Sequence, residues 1–274
     1  MPRAALLLGL LLLTGCGSAK RQAIPAVRPA APPVAKQARP RHHRLVTAHN
    51  RAVPILMYHV VANAPAGVPF PGLFVRRADF TGQLRWLARH GYHPVLLQQV
   101  YDYWRYGYAL PPRPVVLSFD DGYRADYDFV RPQLLARHWR AVLNLVVRNA
   151  LDGALPTGEA RTLRRDGWEI DAHTLTHRDL TTLAPAELQH EVAGSRAWIK
   201  AHVGGPVDFF CYPAGRYDAQ AIAAVRAAGF LAATTTQPGV ASPRNGLFTL
   251  ERIRVDGSDG VSGFAAKMSA AAGG

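Results

Sequence analysis

Between residues 53 and 255, short apolar runs alternate with stretches of helical period, and this alternation limits the fold more than any other feature. The runs "VPILMYHVV" (53–61), "HPVLL" (93–97), "PVVLSF" (114–119), "AVLNLVV" (141–147), "WEIDAHT" (168–174), "VDFFCYP" (207–213), "FLAATTT" (230–236) and "LERIRV" (250–255) have the length and composition of strands. Helices are predicted between them. In "ADFTGQLRWLARHGY" (78–92), Phe80, Leu84 and Leu87 share a face, with Asp79 as a candidate N-cap and Gly91 as a stop. "YRADYDFVRPQLLARH" (123–138) predicts a helix in which Pro132 either makes a kink or starts a new helix. "TGEARTLRRDG" (157–167), "APAELQHEVAGSRAWIKAHV" (184–203), with Pro185 in its first turn, and "AQAIAAVRAAG" (219–229) complete the series. Strands alternating with helices imply a parallel sheet or a β/α barrel.

Polar residues gather at the strand ends, which favours the barrel, whose active sites form at the C-terminal ends of its strands. His59 ends one run, Asp120 and Asp121 ("SFDDG") another, His173 and His177 ("DAHTLTH") a third, and "CYPAGRY" a fourth. Two adjacent carboxylates at the mouth of a buried strand are costly unless something pairs with them. A cation there would offset their repulsion and keep both ionised. Two histidines and a carboxylate are a usual ligand set for a catalytic zinc ion, and imidazoles four residues apart share a face if the segment is helical. Alone, "DDG" is also a plain turn, and HxxxH also decorates helix surfaces. Their joint occurrence at successive strand ends points to a site.

At these residues the chain resembles the polysaccharide deacetylases of carbohydrate esterase family 4, the NodB-homology domain. "SFDDG" is similar to that family's TFDDG motif, "HTLTH" to H-[ST]-x-x-H, and "FCYPAG" to the segment around R-P-P-Y-G. The resemblance covers about residues 53–256. It implies a distorted (β/α) barrel, a single catalytic domain, and metal-assisted hydrolysis of N-acetyl groups on an N-acetylglucosamine polysaccharide, releasing acetate. It assigns Asp120 as general base, and Asp121, His173 and His177 as ligands of a divalent metal, usually zinc. The loop Cys211 to Gly215, with Tyr212, Pro213 and Ala214, would line the acetate pocket and give a backbone N–H to the oxyanion. Two departures stand out. Cys211 occupies the place of the family's arginine, which orients the base, and Arg252 could replace it or form an unrelated ion pair. The late histidine that serves as acid is absent, since the last one is His202. "PILMYHVV" resembles the first strand of the poly-β-1,6-N-acetylglucosamine deacetylase branch, which makes His59 the candidate acid. Tyr58, Tyr123, Tyr212 and Tyr217 are candidates for stacking on sugar rings. "DGSD" (256–259) reads as a turn. Peptidoglycan, chitin oligomers or an O-acetylated glycan remain alternative substrates. A non-catalytic glycan-binding lipoprotein and a glycoside hydrolase are alternative functions, although adjacent carboxylates do not flank a glycosidic bond.

The formal charge of +13 is uneven. Residues 1–50 hold eight Lys or Arg and no acid, leaving 24 basic against 19 acidic residues, with no dense basic run of the kind that binds nucleic acid. "MPRAALLLGLLLLTGC" has a basic start and an apolar stretch too short to span a bilayer. Its "LTGC" resembles the lipobox of bacterial lipoproteins, which makes residues 1–16 a signal ending at a lipidated Cys16. Residues 17–50, rich in Pro, Ala and basic residues, read as a tether, and residues 51–274 as the catalytic domain. The expected location is the bacterial envelope, anchored to a membrane and facing periplasm or exterior. Oligomeric state is not legible. Cys211, in an apolar run, reads as a small core residue.

Overall fold

The computed structural model describes residues 49–273. The signal, Cys16 and nearly all of the tether lie outside the described residues. Eight parallel strands form the sheet: β1 (Ile55–Tyr58), β2 (His93–Pro94), β3 (Pro114–Asp121), β4 (Val142–Leu145), β5 (Glu169–Ala172), β6 (Phe209–Cys211), β7 (Ala232–Pro238) and β8 (Leu250–Arg254). The order β1-β8-β7-β6-β5-β4-β3 closes because β1 also pairs with β3, with Ile55 opposite Val116 and Tyr58 opposite Phe119. β2 is a short addition beside the start of β3. The result is a seven-stranded closed (β/α) barrel in one domain, as expected. Strands covered on both faces read as continuous apolar runs, and all eight residues of β3 are buried.

The helices are α1 (Arg77–Arg89), α2 (Leu97–Tyr106), α3 (Arg131–Leu135), α4 (Val147–Leu151), α5 (Thr157–Arg165), α6 (Pro185–His202), α7 (Ala219–Ala227) and α8 (Gly260–Gly273). Three of these were hidden in the sequence. "HPVLL" is a strand for only two residues, and Leu97 then opens α2. Buried Leu97, Val100, Tyr101 and Trp104 in α2 have helical spacing, and pack against Ile55, Val116, Val142 and Phe209 near the strand starts. Thus α2 plugs the N-terminal end of the barrel. Val147, read as the end of a strand, starts α4. α8 buries Phe264 and Met268, with Phe264 edge-on to Trp86 of α1 at 5.8 Å. One detail is corrected and one alternative is settled. Asp79 is not the N-cap of α1: it lies in the first turn, and its carboxylate accepts from Arg76 Nε at 2.6 Å. Of the two readings of Pro132, the start of a new helix is the one found. A π-helical turn, Asp126–Val130, precedes it, and Pro132 sits in the first turn of α3, where its missing N–H is not needed. "DGSD" is a turn as expected, with Asp256 Oδ1 accepting from Ser258 N at 3.1 Å. Among the described residues no helix is long and apolar enough to cross a membrane.

Two carboxyls of β5 face the plugged end. Glu169 Oε2 accepts from Gln98 N in the first turn of α2 (2.9 Å), and Asp171 Oδ1 accepts from Phe209 N (3.1 Å). Their other oxygens meet no protein donor. Burial pushes both carboxyls up, Glu169 well above its ordinary value and Asp171 to about 6, and each acts on the other. Asp208 and Arg164 line the same cavity, which has a volume of about 280 Å³. Two carboxyls so placed hold a shared proton. An unfolded Glu titrates near 4.3. The protonated pair therefore stabilises the fold fully below about that pH, and its contribution is lost as pH rises through the raised folded-state value. Glu169→Gln should flatten the fall in unfolding free energy seen by denaturant titration as pH rises above the ordinary carboxylate range. Equal slopes in the two proteins would exclude the shared proton.

Candidate active site

The C-terminal strand ends open into a cavity of about 550 Å³. His59, Asp120, Asp121, His173 and His177 all line it, so these five predicted residues come together. β3 supplies both carboxylates, and the chain reverses directly after them. Asp121 has φ 75° and Gly122 φ 87°. A Cβ at residue 122 would lie 2.7 Å from Leu145 Cδ1, so the tight turn requires glycine. Val146 N and Asn149 Nδ2 both donate to the Asp121 carbonyl at 3.1 Å, fixing the turn to the start of α4.

Asp121 faces the two histidines. Its Oδ1 lies 3.5 Å from Nε2 of His173 and 3.5 Å from Nε2 of His177. The three ligating atoms lie within 4.8 Å of one another. The helical spacing suggested for "HTLTH" is not how this happens. The segment is a loop after β5, in which Thr174 (φ 70°) and His177 (φ 61°) take left-handed conformations that turn the two imidazoles together. His173 Nδ1 lies 2.7 Å from the Cys211 carbonyl, and so carries the proton, leaving the Nε2 lone pair for a ligand. Burial, then the neighbouring His173, lowers the proton affinity of His177. Tyr123 OH donates to Asp121 Oδ2 at 3.1 Å. Two imidazole nitrogens and a carboxylate oxygen, converging with free lone pairs, fit a divalent cation.

Asp120 turns into the barrel and is 2% exposed. Arg252 of β8, fully buried, grips it with two parallel bonds, Nη1 to Oδ1 at 2.8 Å and Nη2 to Oδ2 at 2.7 Å. Arg252 Nε donates to the Thr235 carbonyl at 2.7 Å, and Asn144 Nδ2 donates to Asp120 Oδ1 at 2.7 Å. Burial alone would raise the Asp120 carboxyl, but the charge and hydrogen bonds of Arg252 hold it well below the usual range. Arg252, entering from β8, thus forms with Asp120 the ion pair that Cys211 at the motif position on β6 cannot make. Cys211 is a buried thiol. Burial pushes its proton affinity up, and Arg252 Nη2 donates to its sulfur at 3.3 Å. His59 Nε2 lies 3.9 Å from Asp120 Oδ2, and burial lowers its proton affinity against the pull of both aspartates.

Of the "YPAG" turn, Tyr212 and Ala214 line the cavity, whereas Pro213 and Gly215 shape the turn behind it. The N–H groups of Tyr212, Gly215 and Arg216 already donate to Thr234, Tyr212 and Pro213 carbonyls. Ala214 has φ 50°. Of the tyrosines considered for sugar stacking, Tyr58 and Tyr212 are buried in the core, and Tyr58 OH donates to Gln83. Tyr123 remains at the cavity. The sequence reading missed Asn144, Asn149, Phe70, Thr236 and Arg254. Asn144, a polar residue inside the otherwise apolar run "AVLNLVV", was the one visible signal. Phe70, 71% exposed, stands at the rim in a loop without periodicity.

Comparison with known proteins bears on the family and the fold. Residues 107–233 match the polysaccharide deacetylase family. A Bacillus subtilis protein that is a polysaccharide deacetylase by name is 28% identical over 214 residues, covering 78% of this chain and 74% of that protein. The poly-β-1,6-N-acetyl-D-glucosamine N-deacetylase of Escherichia coli is 34% identical over 137 residues, which are 50% of this chain and 19% of that protein. A solved polysaccharide deacetylase from Bacillus cereus shares the fold with TM-score 0.71 at 26% identity, covering 80% of this chain and 69% of that one.

Removing one partner of a buried ion pair strands the other, at a cost of about 3–5 kcal/mol. Arg252→Met should lower the unfolding free energy by about that amount, and Asp120→Asn in the same chain should restore much of it. Additive losses in a urea-unfolding cycle would show that the pair is not coupled.

Proposed function

We propose, from the premise that this chain carries a polysaccharide deacetylase domain and is a deacetylase hydrolase, that it removes N-acetyl groups from an N-acetylglucosamine polysaccharide with the help of one divalent cation. The observation that carries this reading is the pairing, in one cavity, of a converging Asp121–His173–His177 set with a second carboxylate, Asp120, kept ionised by Arg252. Asp121, His173 and His177 hold the cation, with zinc suited to the donor set. When bound, the cation supplies Lewis acidity, which polarises an acetamide carbonyl and makes a water molecule more acidic.

The remaining chemistry belongs to the side chains. Asp120, held in one orientation by Arg252 and Asn144, accepts a proton from the attacking water. The water oxygen bonds to the acetyl carbon, and the Ala214 N–H supports the oxygen that gains charge. His59, beside Asp120, takes up the proton that Asp120 removed from the water and gives a proton to the nitrogen as the C–N bond breaks. Acetate and a glucosamine unit leave. Likeness to the Escherichia coli enzyme over half of this chain supports a β-1,6-linked glycan in preference to peptidoglycan or chitin oligomers.

We also propose anchoring through a lipidated Cys16. The described chain begins at the plugged end of the barrel, where His49 packs on Tyr103 at 4.9 Å and Trp104 Nε1 donates to the Arg51 carbonyl. The cavity is at the opposite end, so an anchor on that side leaves it open to an external glycan.

Acetate release from β-1,6-glucosamine, chitin and peptidoglycan substrates tests the function. The β-1,6 oligomers should be preferred, and no acetate from any substrate would overturn the reading. Asp120→Asn should keep the metal and lose about 10²–10⁴-fold in rate, whereas His177→Ala should lose metal and activity together. His59→Ala should be less impaired on an aryl acetate, whose leaving group needs no proton, than on the amide. An equal defect on both would remove His59 as the acid.

For the anchor, Cys16→Ser should release the protein from membranes or block its processing. Unchanged membrane association without lipid at residue 16 would refute it.

A further inference from the structure

One buried carboxylate is not used in this chemistry and lies directly beneath the metal ligands. Glu191 projects from α6 and is 3% exposed. Its Oε2 accepts two backbone N–H groups, from Leu175 at 3.0 Å and Thr176 at 2.9 Å, and its Oε1 accepts from Thr176 Oγ1. Leu175 and Thr176 are two of the three residues between His173 and His177. A buried carboxylate that accepts backbone N–H groups forms charge-assisted bonds, stronger than neutral ones.

The loop depends on such support because its backbone is not self-sustaining. Thr174 and His177 both hold left-handed φ angles, which non-glycine residues adopt only under strain. Two bonds tie the loop to the start of α4, Val147 N to the Thr174 carbonyl at 3.2 Å and Arg148 N to the Leu175 carbonyl at 2.8 Å. One internal bond, His177 N to Thr174 Oγ1 at 2.8 Å, closes it. The other side of the loop has Glu191. α6 approaches closely enough that a Cβ at Gly194 would lie 2.9 Å from Leu175 Cδ1. The carboxylate thus pins the middle of the segment while both ends turn their imidazoles toward Asp121.

We infer that Glu191 is a positioning residue for the metal site, holding the Leu175–Thr176 peptide groups so that His173 and His177 meet Asp121. The inference rests on the metal reading above. It gives Glu191 no contact with substrate or cation, and assigns its effect to metal affinity through the loop.

Metal affinity of the full chain, measured by competition of Zn²⁺ with a chromophoric chelator, tests it without any turnover. Glu191→Leu should weaken Zn²⁺ binding by about 10–100-fold, the usual cost of losing a group that orients metal ligands. Glu191→Gln retains an acceptor for the two N–H groups and should lose less. Amide hydrogen exchange at Leu175 and Thr176 should quicken in Glu191→Leu. Ser195→Ala serves as the control for a general weakening of α6, since Ser195 Oγ donates only to the Val192 carbonyl at 2.8 Å, and it should leave affinity unchanged. If Glu191→Leu does not fold, Glu191→Gln alone decides, with weaker binding and faster exchange at both amides required. Native affinity in the Glu191 variants, or equal loss in Ser195→Ala, overturns the positioning role and leaves the metal reading intact. Failure of the unaltered protein to bind any divalent cation overturns both.

Discussion

The Arg252–Asp120 pair spans the inside of the barrel, from β8 past β1 to β3, and the organisation of the site follows from it. Each ion would cost several kcal/mol to bury alone. Here the guanidinium has acceptors on Asp120, Ser118, Thr235 and Cys211, and the carboxylate has donors on Arg252 and Asn144. Such a pair adds little stability over an apolar filling of the same volume. What it supplies is a carboxylate that stays ionised and points one way.

The same pair explains how two aspartates can be neighbours. Successive strand residues point to opposite sides, so Asp120 turns inward to its arginine. Asp121, at the left-handed end of β3, turns to the histidines. Each carboxylate has its own countercharge or donor set, and the cavity lies between the two. The barrel interior is graded to match. Near the strand starts it is closed by α2 and is apolar apart from the Glu169 and Asp171 carboxyls, and near the strand ends it carries Ser118, Asn144, Thr235 and Arg252.

Some of the chemistry was readable because it is local. The β3 and β5 motifs sit at strand ends, and a closed parallel barrel brings strand ends together whatever the details of packing. The (β/α) barrel, the carboxylate pair and both histidines were therefore accessible from spacing and residue type. How "HTLTH" brings its imidazoles together was not legible, because the convergence is produced by left-handed residues at Thr174 and His177 and not by a helix, and single-residue φ values leave no periodic trace. α2 was obscured because "HPVLL" is apolar throughout its length, and short apolar runs do not distinguish strand from helix. α8, rich in Ala and Gly, has few large apolar residues to mark a period.

The sequence by itself determined the fold class, the order of the strands and the residues able to hold a cation, because hydrophobic period and strand-end chemistry are properties of neighbours along the chain. Only the tertiary structure decided which arginine serves Asp120. Arg252 is 132 residues away in sequence, and nothing in "LERIRV" separates a buried, bidentate partner from a surface charge. The same holds for Cys211, whose sulfur accepts from that arginine. Pairings of this kind depend on barrel closure, which places β8 beside β1 and lets a long side chain reach β3 through the interior, a distance that exists only in the folded chain.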